Sequence, residues 1–184
     1  MVFRLGLGAL LVSALFSQET LPQRIQTEAV RRVPVPSEAG SSQDRASGFV
    51  LPEPPGWLRR PGGGMRLASY QVPGLTQEAT VLLLPGEGGG LEANARRFLA
   101  QMFVTPRRSE VARLLAELRT GSSVGGQRFT VLDLSGFATS ATSPCVLAIH
   151  LDTPQGAVWL RLIGETKNVL AQKSAAEAWA AAFR

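Results

Sequence analysis

The stretch CVLAIHLDTPQGAVWLRLIGE, residues 145–165, constrains the fold of this chain most. Two runs dominated by Val, Leu, Ile and Trp flank a Pro-Gln-Gly turn, the pattern of a β-hairpin over 145–153 and 157–165. A strand over the first run puts His150 and Asp152 on one face, as a local hydrogen-bonded pair or a half-exposed polar patch. Cys145 falls on the opposite alternation and reads as a small core hydrophobe.

Other segments extend this sheet. FVLPEPPGW (49–57) reads as a short strand entering a proline-constrained turn, and MRLASYQVP (65–73) as a strand ended by Pro73-Gly74. EATVLLLP (78–85) is a continuous apolar run, the signature of a strand buried on both faces. QRFTVLDLSGF (127–137) reads as another strand. Leu91, Ala95, Phe98, Leu99 and Met102 recur at helical spacing and predict a helix over 91–103. Val169, Ala176, Trp179, Ala180 and Phe183 give a C-terminal helix its apolar face. SEVARLLAELRT (109–120) fits two patterns. Val111, Leu114, Leu115 and Leu118 make a helix stripe, whereas Leu114, Ala116 and Leu118 alternate as in a strand; the SSVGG that follows favours a hairpin, so a strand is expected. The order of elements predicts an α+β fold, an antiparallel β-sheet with two covering helices.

The N-terminal residues read differently. One cation, Arg4, precedes an uncharged apolar run from Leu5 to Phe16 that ends near Ser13, Ala14 and Ser17. That is the layout of a signal peptide over 1–17, and the run is short for a membrane span. The competing readings are an uncleaved anchor and a buried N-terminal helix. Residues 18–47 are rich in Ser, Pro, Gln and balanced charge, which predicts a disordered linker. Residues 48–184 then form a single domain.

Composition excludes several chemistries. One cysteine and one histidine allow neither an internal disulfide nor the usual Cys/His metal cluster, so no metal or other cofactor is expected. The net charge of +5 comes from arginines spread along the chain, with only Lys167 and Lys173 as lysines. Scattered charge of this kind solvates surfaces; it predicts no specific nucleic-acid site and leaves room for peripheral contact with anionic membranes.

Two motifs invite functional readings. In LLLPGEGGGLEANARRF (82–98), the amides of Gly86, Gly88, Gly89 and Gly90 precede a helix, where an anion or small ligand could be held. Neither phosphate signature is met: GxGxxG would need glycine at Leu91, and the P-loop lysine is missing. Glu87 and Glu92 also place negative charge where the anion would sit. A structural turn is the expectation. The second motif is GSSVG (121–125), which puts Ser123 in the nucleophile position, followed by Asp133 and His150 in hydrolase order. The strand pattern after Gly126 contradicts a nucleophile elbow, so a hairpin turn is expected and a serine hydrolase is the alternative. Among the tryptophans, Trp57 beside Pro54-Pro55-Gly56 and Arg59-Arg60 is the candidate exposed contact; Trp159 and Trp179 read as core.

MRLASYQVP, GEGGGLEANARRF and FTVLDLSGF (129–137), in this order, resemble a family of bacterial exported proteins, many of them lipoproteins, of PsbP-like fold. The resemblance implies an antiparallel sheet between helices and no established catalytic residue. It suggests Glu92 and Asn94 as a recognition surface. The chain departs from the lipoprotein pattern in having no cysteine after the apolar run. The expected function is therefore that of a non-enzymatic exported protein, periplasmic or extracellular, that binds another envelope protein or assists its assembly. Its mature chain should begin near Gln18, and N-terminal sequencing of the exported protein checks this; intact Met1 protein recovered from the cytosol would refute it.

Overall fold

The computed structural model of the chain describes residues 48–184; the expected signal peptide (1–17) and linker (18–47) lie outside them. In chain order the elements are β1 (Leu58–Gly63), β2 (Arg66–Gln71), β3 (Ala79–Leu84), α1 (Gly90–Gln101), α2 (Arg108–Ala116), β4 (Arg119–Ser122), β5 (Arg128–Asp133), a 3-10 turn (Ser135–Phe137), β6 (Pro144–Thr153), β7 (Gly156–Glu165), α3 (Thr166–Ala171) and α4 (Lys173–Ala182). The strands form one seven-stranded sheet in the order β1-β2-β3-β7-β6-β5-β4. Every neighbouring pair is antiparallel. The fold is α+β, as the order of sequence patterns predicts. Among the described residues, no helix is long and apolar enough to cross a membrane.

The sheet carries a core on each face. Cys145, Leu147, Ile149 and Leu151 of β6 join Val169, Ala176, Trp179, Ala180 and Phe183 from α3, α4 and the residue after α4. Phe49, Leu51 and Trp57 complete that side. Val146 and Ala148 join Ala95, Phe98, Leu99, Met102 and Val111 from the α1–α2 side. This is why the 145–165 hairpin reads as nearly unbroken apolar sequence: its strands are buried on both faces. Cys145 is core, as its alternation predicts.

Among the described residues, four helices cover the sheet rather than two. The extra helix on one side is α2, where alternation predicts a strand. It buries Val111 fully and Leu114 and Leu115 partly, with Leu118 partly buried just beyond its end, and Glu110 accepts the Arg107 backbone N–H at 2.7 Å. Only Arg119–Ser122 is extended. On the other side the C-terminal helix is two short helices. The break at Gln172 is held by tertiary bonds: its side chain accepts Trp57 Nε1–H and donates to the Pro73 carbonyl, each at 3.0 Å. A third difference lies at 49–57, which is irregular; the strand is displaced to Leu58–Gly63. Prolines at 52, 54 and 55 cannot donate to a ladder. Pro61 is accommodated because β1 is an edge strand.

The corner between α1 and α2 holds one strained residue. The Phe103 N–H bonds to the Ala100 carbonyl at 3.0 Å and the Val104 N–H to that of Leu99 at 2.9 Å. This is a Schellman ending, whose αL position glycine ordinarily takes. Here Phe103 takes it, with φ 59 and 89% of its surface exposed. Phe103→Gly should raise stability by about 0.5–1 kcal/mol, since it relieves a left-handed cost of roughly 1–2 kcal/mol against the entropy of glycine. A thermal or urea titration checks this; a loss of stability would mean that the ring packs inside the molecule.

Candidate functional site

The turn 85–90 closes on itself. Gly86, Gly88, Gly89 and Gly90 have φ of 57, 59, 87 and 74, a run of left-handed backbone that only glycine adopts at low cost. The Gly88 N–H bonds to the Pro85 carbonyl at 3.2 Å and the Gly90 N–H to that of Glu87 at 3.1 Å. Asn94 is buried beneath, donating to the carbonyls of Gly88 (2.8 Å) and Gly90 (2.7 Å), and its own oxygen accepts from Arg97. Two of the amides that would hold an anion are thus spent inside the turn. Glu92, at the start of α1, pairs with Arg96 at 2.8 Å on the helix surface. The arrangement is a clasp between β3 and α1.

Gly88 has a second constraint. A Cβ there would lie 2.9 Å from Ala157 Cβ and 3.0 Å from Trp159 Nε1. Trp159 packs against Phe98 edge-on, with centroids 5.8 Å apart, and against His150 at 4.7 Å. The clasp therefore sits directly on the second core. Beside it runs a groove lined by Gly86, Glu87 and residues 152–157.

His150 and Asp152 share a face, as predicted, but Nε2 and Oδ1 are 3.7 Å apart, too far for a hydrogen bond. Burial holds the imidazole below its usual pKa, although Asp152 and Glu87 pull the other way. The ring is accordingly neutral near pH 7, and its Nε2 is buried without a hydrogen-bond partner.

The hydrolase constellation is not assembled. Val131 and Asp133 share the α3–α4 face of β5, where Lys173 Nζ meets Asp133 Oδ2 at 2.5 Å and the Ser135 N–H meets Oδ1 at 3.0 Å. Burial pushes the Asp133 pKa up, and the bonds from Lys173 and Ser135 outweigh it, leaving a lowered value. His150 shares the opposite face with Ala148. The sheet itself separates acid from base. Ser123 lies in the β4–β5 turn, its hydroxyl bonded to Gln127. The same turn satisfies the end of α4, because the Val124 and Gly125 amides bond to the carbonyls of Ala181 (2.7 Å) and Phe183 (3.0 Å). Burial, then Asp133, raises the Cys145 thiol to about 11, which makes it a poor nucleophile. Among the described residues, no group of acidic, Cys and His side chains is placed to hold a metal ion.

Two of the surface candidates are interior. Trp57 is 4% exposed, edge-on to Tyr70 at 5.5 Å, so it is core and not an exposed contact. Asn94 is the post of the clasp; only Glu92 of that pair reaches solvent. What the sequence patterns do not single out is Phe103 and a row of polar side chains centred on Arg161. Each leaves a trace in the sequence: a helix end with no glycine at its αL position, and an arginine in the middle of AVWLRLIGE.

No model of a known protein family matches the chain, and no curated protein matches it. The clasp itself yields a paired prediction. Gly88→Ala should cost on the order of 2–3 kcal/mol, combining left-handed strain with a steric clash, whereas Gly86→Ala, with open space around its Cβ, should cost about 1 kcal/mol from strain alone. Equilibrium unfolding of the two variants checks the difference, and equal losses would contradict the seat beneath Trp159.

Proposed function

We propose that this chain is an exported, non-enzymatic binding module, akin to the PsbP-like exported proteins, that acts by docking onto another protein of the bacterial envelope. The observation that carries this reading is Phe103. An aromatic side chain that is 89% exposed at a left-handed position adds strain and returns little packing among the described residues. Strain of this kind concentrates at functional surfaces, and aromatic anchors dominate the energetics of protein interfaces. The α1–α2 corner is rigid behind it, since Met102 is buried in the second core on one side and Val111 on the other. Because Asp133 and His150 lie on opposite faces of the sheet, a binding role is preferred to the hydrolase alternative.

The test is affinity purification of the full chain from its native envelope beside Phe103→Gly and, as a control, Val124→Gly at a comparably exposed position. The reading predicts a stoichiometric partner retained by the wild type and the control and lost at least tenfold by Phe103→Gly, with the thermal midpoint of that variant not lowered. Equal retention by all three proteins would overturn it.

A further inference from the structure

The second-core face of the sheet changes character along a single rung. Reading across the strands, Arg60 stands opposite Ser69, Ser69 opposite Thr80, Thr80 opposite Arg161, Arg161 opposite Ala148, and Ala148 opposite Leu132. Directly opposed residues share a face and touch. The Ala148–Leu132 end belongs to the core packed by Phe98 and Leu99 of α1. The other end is polar where a sheet beside a helix would ordinarily be apolar.

That polar end is cationic and undersupplied with partners. Ser69 is 2% exposed and Thr80 is 7% exposed. Thr80 Oγ1 and Arg161 Nε are buried without a hydrogen-bond partner. Arg66 Nη1 lies 3.4 Å from Ser69 Oγ. Arg97 projects from α1, bonded to Asn94. Arg161 feels both neighbours: burial first, then Arg97 and Arg66, hold its guanidinium below the ordinary arginine range. Glu78, the carboxylate next to Thr80 at the start of β3, is taken by Arg60 at 3.2 Å. Among the described residues, no carboxylate lies in ion-pair range of Arg66, Arg97 or Arg161.

We propose that Arg66, Arg97 and Arg161, together with the hydroxyls of Ser69 and Thr80, form a binding site for a phosphate-class oxyanion. Clustered guanidiniums repel one another, and a buried donor without an acceptor costs free energy; one multiply charged oxyanion relieves both. Guanidinium forks match phosphate oxygens in geometry, and hydroxyls complete the donor set. A phosphate in solution and a phosphomonoester on a lipid headgroup share this chemistry. The site is separate from the glycine clasp, whose acids repel an anion, and it stands independently of the role given to Phe103.

The experiment is calorimetric titration of the full chain with inorganic phosphate, beside co-sedimentation with phosphatidylcholine vesicles containing phosphatidic acid. The variants are Arg161→Gln and Arg66→Gln, with Arg113→Gln on exposed α2 as a control of equal charge. Saturable binding by at least one probe is expected, at least tenfold weaker in Arg161→Gln and Arg66→Gln and little changed in Arg113→Gln. Binding of vesicles without binding of free phosphate assigns the site to a headgroup; binding of free phosphate without sedimentation assigns it to a soluble ligand. If Arg161→Gln fails to fold, the exposed Arg66→Gln decides alone. Absence of saturable binding by either probe, or equal weakening by Arg113→Gln, overturns the proposal.

Discussion

The pairing of β6 with β7, in register from Pro144↔Glu165 to Thr153↔Gly156, is the interaction on which the other parts of the described structure depend. These ten-residue strands are the longest in the sheet and lie at its centre. Their side chains point alternately into two cores, so each helix layer is anchored to the same hairpin from opposite sides. Apolar burial supplies the main drive for such packing. The outer strands are peripheral to it: β1 carries Pro61 and two arginines, and β4 has four residues, both features that discourage edge-to-edge association.

The two faces use the hairpin unequally. On one, α3, α4 and the chain before β1 form a closed layer, fastened by Gln172 to Trp57 and by the backbone bond of Arg184 N–H to the Val50 carbonyl at 3.3 Å. On the other, Phe98 and Trp159 mark where apolar packing is strongest, and Arg161, two residues further along β7, marks where it gives way to charge. The clasp at 85–90 sits at the first location. Its glycines serve geometry because Trp159 occupies the space a side chain would need. The Phe103 corner lies beside this rigid centre, and the arginine row runs outward from Arg161 of β7 across β3 and β2, so both are held on a pre-organised scaffold.

Much of this architecture is legible in the sequence, for an identifiable reason. Segments with a strong apolar pattern, such as the strands of 145–165 and the inner face of 91–103, announce themselves because burial selects the apolar positions. The misreadings fall where the pattern is shared or a tertiary bond decides. Leu114 and Leu118 satisfy both periodicities, and Val111 settles the matter only through its contact with the second core. The break at Gln172 has no Pro or Gly to signal it, because side-chain bonds to Trp57 and Pro73 hold it. Trp57 reads as exposed beside Pro54-Pro55-Gly56 and Arg59-Arg60, yet folds back onto Tyr70. The site is less legible than the fold. Ser69, Thr80 and Arg161 lie far apart in the chain, and only the register of three strands puts them side by side.

Native-state hydrogen exchange on the full chain tests most directly whether the central hairpin is the scaffold for both layers. Amides of β6 and β7 between Val146 and Leu151 and between Val158 and Leu162 should exchange last, with one common free energy equal to that of global unfolding. The α1 and α4 layers should open before them, each without releasing the other. If β6 and β7 amides exchanged through a local opening while β2 and β3 stayed protected, the hairpin would not be the common anchor, and the account of how the two faces are held would be wrong.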